Sequence, residues 1–86
     1  MQYRQRKNLT IQSVDDETLI LDLDSNNIHQ LNSTASFVWE QCNGSVPVEE
    51  VVELFASHYG IDGETARVDV GRVIEVLSEL GLIEAA

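Results

Sequence analysis

Few side chains in this 86-residue sequence are equipped for chemistry, and their spacing decides what they can do. The chain has one cysteine, Cys42, and two histidines, His29 and His58. A nucleophilic thiol needs a basic or histidine neighbour to lower its pKa, and Glu40, Gln41 and Asn43 supply none locally. A lone cysteine also cannot close an intramolecular disulfide, so Cys42 reads as a small core hydrophobe. His29 has no carboxylate or cysteine at ligand spacing and reads as a surface residue. His58 falls in the last turn of a predicted helix, where a partly cationic ring suits the dipole. A zinc site would have to recruit carboxylates from across the fold, and no metal is expected. Asp22, Asp24 and Asn26 match the first positions of a calcium loop, but Asn27 stands where the loop needs glycine and Ser33 where it needs glutamate. The run Asp24-Ser25-Asn26-Asn27 is therefore a predicted turn. No paired carboxylate, Ser/His or Cys/His constellation is closely spaced on any predicted element. The expectation is a binding module with no cofactor, not an enzyme.

The elements follow from periodicity and punctuation. Residues 1–8 are polar and basic and read as a flexible, frayed end, with a single domain over 9–86. Leu9–Val14 and Thr18–Leu23 alternate around Asp15-Asp16 and predict a hairpin. Ile28-His29-Gln30-Leu31 follows as a third short strand, left at the sheet edge by a meander of this order. Asn32 or Ser33 can cap a first helix whose Ala35, Val38, Trp39 and Cys42 share a face, and Gly44 is placed to end it. Pro47 suits the first position of a second helix, with Val48, Val51, Val52, Phe55 and Tyr59 as its stripe and Gly60 as its stop. Asp62 can cap a third, in which Ala66, Val70, Val73, Ile74, Leu77 and Leu80 face inward before Gly81 ends it. Leu82 and Ile83 are expected to fold back as an apolar tail. Beside the core stripe of the third helix lies a flank of Thr65, Asp69, Arg72 and Val76, whose mixed character fits a groove wall and a solvated shoulder equally. Phe37 lies off the core face of the first helix. Its position fits packing under the sheet and contact with a partner alike.

Net charge is −10, from fifteen acids against five cations, and Arg4, Arg6 and Lys7 crowd the N-terminus. Only Arg67 and Arg72 lie beyond them. Such a surface repels phosphate backbones and anionic membranes; it suits a basic partner, and solubility alone also explains it. With no signal-like apolar run and no stretch approaching the roughly 20 residues of a membrane span, a cytoplasmic location is expected.

Three strands followed by three helices give an α+β domain: a three-stranded antiparallel sheet followed by a three-helix bundle, winged-helix-like. That architecture invites a nucleic-acid-binding or transcription-regulatory reading. The candidate recognition helix, however, carries Glu64, Asp69, Glu75 and Glu79 beside Arg67 and Arg72, and would bring like charge to the phosphates. An edge strand next to a helix flank can instead accept an extended peptide as a further strand. An unoccupied edge can also pair with its own copy, which leaves monomer and dimer open.

One run carries a family resemblance. Leu31-Asn32-x-Thr34-Ala35-x-x-Val38-Trp39, followed by Gly44, resembles the pattern of PqqD-like proteins, and the likeness extends from about Glu17 to the closing Glu-Leu-Gly-Leu-Ile at 79–83. The resemblance implies a recognition element that binds the leader region of a ribosomal precursor peptide. The leader would lie antiparallel to the third strand and against the third helix, presented to a modifying enzyme, either a radical enzyme or a leader peptidase. Such modules serve quinone-cofactor (PQQ) maturation and lasso-peptide processing. Carried onto this chain, the edge falls on Ile28, His29, Gln30 and Leu31, and the groove wall on Asp69, Arg72, Val73 and Val76. Asn32, Thr34, Ala35, Val38 and Trp39 read as fold-bearing.

Overall fold

The computed structural model describes residues 1–86. The chain runs β1 (Gln2–Gln5), β2 (Leu9–Val14), β3 (Glu17–Asp22), β4 (Asn27–Leu31), α1 (Ser33–Gln41), β5 (Asn43–Pro47), α2 (Val48–Tyr59), α3 (Gly63–Glu79) and β6 (Ile83–Ala85). The alternating segments pair as expected. Val14 and Glu17 close a two-residue turn in which Asp15 takes a left-handed φ of 57°, and the antiparallel meander has the order β2-β3-β4. Asp15 tolerates that conformation because its short side chain can bond nearby backbone.

The architecture departs from one sheet followed by a helix bundle: there are six strands in two three-stranded sheets. The second sheet has the order β5-β1-β6, so the N-terminal segment expected to fray is its central strand. The reason is non-local. Gln2–Gln5 is short and polar, but its backbone is claimed from both sides. Gln2 and Arg4 oppose Pro47 and Asn43, and Tyr3, Arg4 and Gln5 oppose Ala85, Glu84 and Ile83. Outside the ladders, the Val48 N–H donates to Met1 O at 2.8 Å and the Gln5 N–H to Cys42 O at 3.0 Å. Gly44, expected to end the first helix, serves this sheet instead: at φ 86° it occupies the irregular stretch where β5 takes extra residues against β1. Helix α1 stops earlier, at Gln41, where the Cys42 N–H and the Gln5 side-chain amide both donate to Trp39 O.

The other helix signals read more directly. Asn32 caps α1 by accepting from the Ala35 N–H at 2.9 Å, and Asp62 caps α3 by accepting from the Thr65 N–H at 2.7 Å. That bond holds the Asp62 carboxyl below its ordinary pKa. Gly60 ends α2 at φ 64°, while Pro47 sits one position earlier than expected, as its N-cap. Leu80 caps the end of α3 and is exposed, because the helix stops before its stripe reaches that residue. Gly81, at φ 72°, then turns the chain so that Leu82 and Ile83 are buried.

The core gathers Ile20 from β3, Val38 and Trp39 from α1, Val52 and Phe55 from α2, and Val70 and Leu77 from α3, with Leu82 beneath. Leu80 apart, each helix presents the face its periodicity foretold, and burial of that face rather than propensity holds the helices. One polar link crosses this frame. Arg6, in the loop after β1, pairs with the buried Asp22 at the end of β3 and donates from Nε to Gly81 O at 2.7 Å. It thereby ties the first sheet to the second and to the end of α3. No helix of the chain is long and apolar enough to cross a membrane.

Candidate functional site

Strand β4 pairs with β3 on one side and has no partner on the other. Alternate backbone groups along that side are therefore free to bond another chain. Register fixes where its side chains point. His29 and Leu31 oppose Ile20 and Thr18, both buried, so they share the core-side face. Ile28 and Gln30 oppose Leu21 and Leu19 and lie on the outer face. Ile28 is 68% exposed there, and the Gln30 amide donates to Glu17 Oε1 at 3.1 Å. Leu31 is buried at the end of the strand, where the chain turns into α1.

Against that turn lies one flank of α3. Asp69, Arg72, Val73 and Val76 recur at spacings of three and four and so share a side of the helix. A cleft of about 200 Å³ is lined by Leu31, Asn32, Thr34 and Ala35 on one wall and Arg72, Val73, Val76 and Leu77 on the other. A second hollow, of about 300 Å³, adjoins it through Thr34, Arg72 and Val73 and adds Asp69 and Phe55. Together they form a groove running from the end of β4 along α3. Val76 is 52% exposed at one lip, and the Arg72 guanidinium stands exposed with no ion pair inside the chain.

Five of the sequence-predicted residues, Leu31, Asp69, Arg72, Val73 and Val76, thus line one groove. His29 shares the face of Leu31 without lining either hollow, and Ile28 and Gln30 belong to the outer face of the sheet. The sequence reading missed Asn32, Thr34 and Ala35 as wall residues by assigning them to the fold alone. Asn32 caps α1 and also accepts from the Thr34 hydroxyl at 3.0 Å, so the capping turn is itself the wall. The available signal was adjacency: a helix start that directly follows an edge strand must flank whatever that edge receives.

The remaining reactive side chains stay outside the groove. Cys42 is buried, donates from Sγ to Val38 O at 3.3 Å, and burial pushes its thiol up to about 11. Phe37 packs against α2: its ring stacks on His58 at 4.7 Å and lies edge-on to Phe55 and Tyr59. No group of three or more His, Cys, Asp or Glu side chains is arranged to hold a metal ion. The groove offers open backbone, apolar walls and one free cation, which is the equipment for binding an extended chain.

Comparison with known proteins gives the family and the fold. Residues 17–83 match the family model described as coenzyme PQQ synthesis protein D (PqqD). No curated protein matches the chain in sequence. Among solved structures, "TbiB1 in Complex with the TbiA(beta) Leader Peptide" is 22% identical, with a TM-score of 0.86 over 96% of both chains. "Lasso peptide synthetase B1 complexed with the leader peptide" is 23% identical, with a TM-score of 0.85 over 98% of this chain and 99% of that one. Both share the fold.

Proposed function

We propose, because the chain belongs to the PqqD family, that it is a non-catalytic module that binds the leader of a ribosomal precursor peptide in the cytoplasm and presents that peptide to a modifying enzyme or leader peptidase. The observation that carries the reading is the open edge of β4 running into a groove whose far wall is α3. The two solved structures of the same fold, each described as a complex with a leader peptide, support it.

On this reading the leader adds as a strand antiparallel to β4. Its backbone bonds the free N–H and C=O groups of the segment Ile28–Leu31, which requires no particular residue type at the edge. Side chains of an added strand alternate. One set enters the groove against Leu31, Val73 and Val76, where apolar burial contributes roughly 25 cal/mol per Å². The other set lies over the outer face beside Ile28 and Gln30, and His29 stands on the groove side of the strand. Arg72 pairs with a leader carboxylate, and Asp69 sets the polar end of the groove. Ordering a flexible leader opposes binding, so specificity rests on the groove contacts rather than on the ladder alone.

The winged-helix alternative predicts duplex binding through α3, and its four acidic residues oppose that at every phosphate. Calorimetry separates the two. The leader of a cognate precursor peptide should bind with modest salt dependence, a scrambled leader and a DNA duplex should not, and duplex affinity falling steeply with salt would transfer the function to nucleic acid.

A further inference from the structure

The flank of α3 turned away from β4 borders a second and larger groove, of about 580 Å³. Its floor is apolar, made by Tyr3 of β1, Val48 at the start of α2 and Ile74 of α3. Glu49, Glu75 and Glu79 stand around it beside Met1, and no lysine, arginine or histidine side chain is among its lining residues. Nothing in the peptide-binding reading uses this groove.

Gly71 lies in its α3 wall and gives an independent signal. Glycine is the poorest helix former after proline, and α3 continues for two turns on either side of it. Neither conformation nor space within the chain accounts for glycine there: its φ is not left-handed, and a Cβ built on it meets nothing within 4 Å. The missing side chain leaves α3 open to close approach from outside, at the middle of the groove.

The form of the occupant follows from the strands. β1 is paired on both sides, by β5 and β6, so the groove offers no free backbone edge and cannot extend a sheet. A ligand must engage through side chains, as an amphipathic helix does in an apolar groove. We propose that this groove docks a basic amphipathic helix of a partner protein. Its apolar face rests on Tyr3, Val48 and Ile74 and passes close to Gly71, while its lysines or arginines meet Glu49, Glu75 and Glu79. The site is independent of peptide addition at β4, and the two can fail separately.

The test uses the full isotope-labelled chain and a designed leucine/lysine amphipathic helix of about four turns as probe, with a leucine/glutamate helix of the same pattern as its counterpart. The lysine helix should shift the amides of Tyr3, Val48, Gly71 and Ser78, and the glutamate helix should not. Gly71→Trp, which fills the groove, and the double change Glu75→Lys with Glu79→Lys should each weaken binding by about tenfold or more, and Gly71→Ala should weaken it by a smaller factor. Thermal melts confirm that the variants fold, and the charge-reversal pair decides the matter where Gly71→Trp does not. Absence of binding overturns the proposal. So do equal affinities for both helices, and shifts spread over the acidic surface that survive Gly71→Trp.

Discussion

Arg72 owes its assigned role to its surroundings. It is exposed, it lines both hollows beside β4, and no acid inside the chain claims it. Arg72→Glu should weaken leader binding by about tenfold while leaving the melting temperature within about a degree, because an exposed helical position contributes little to stability. Unchanged affinity by calorimetry removes Arg72 from the site. Its place on the flank was legible because only two cations lie beyond residue 7 and one of them falls there. Asp22 was legible only as a strand residue next to a predicted turn. Burial opposes its ionisation, but bonds from Ser25 and Asp24 and the Arg6 guanidinium outweigh that and hold its carboxyl below 3.8. A native pKa below the unfolded one stabilises the fold above the unfolded value, and that stabilisation is lost as pH falls through the native one. Urea midpoints should therefore decline as pH falls below the ordinary carboxylate range, and Asp22→Asn should flatten that decline while lowering the midpoint near neutrality. An unaltered acid limb would assign the pH dependence to other carboxylates. The Arg6 partnership was invisible in sequence because sixteen positions separate the two residues and no local pattern links them.

Among the elements, those with their own periodicity were readable and those completed by distant partners were not. The β2-β3-β4 meander, the Asn32 and Asp62 caps and the stop at Gly60 all follow from residues within a few positions of one another. Strand β1 carries no such pattern: Gln2–Gln5 is a strand because Asn43–Pro47 and Ile83–Ala85 flank it. Gly44 was misread for the same cause, since a glycine after an amphipathic run signals a helix stop locally and a strand irregularity only once its partner is known. Deleting residues 1–5 should therefore destabilise the whole domain by at least about 2–3 kcal/mol, as several backbone bonds of roughly 1 kcal/mol each are lost and the edges of β5 and β6 are opened. A denaturation midpoint equal to that of the full chain would show that the segment frays in solution.

For the molecule as a whole, α3 carries three surfaces. One stripe builds the core, the flank toward β4 lines the proposed leader groove, and the opposite flank lines the acidic groove. The first two were legible from spacing. The third was not, because Tyr3, Val48 and Ile74 meet only in the folded chain. A domain this small holds a total stability of roughly 4–13 kcal/mol, so a helix serving three surfaces leaves little latitude for substitution along it. The net charge of −10 fits recognition of peptides and basic helices better than of phosphate backbones. The central claim is that a leader peptide becomes the fourth strand of the β2-β3-β4 sheet. The most direct measurement is the set of intermolecular backbone NOEs in the complex of the labelled chain with its leader. Cross-strand contacts between leader α-protons and Ile28–Leu31, together with contacts from alternate leader side chains to Val73 and Val76, are the expected result. A bound leader whose contacts fall elsewhere, with β4 amides still exchanging freely, would contradict the account.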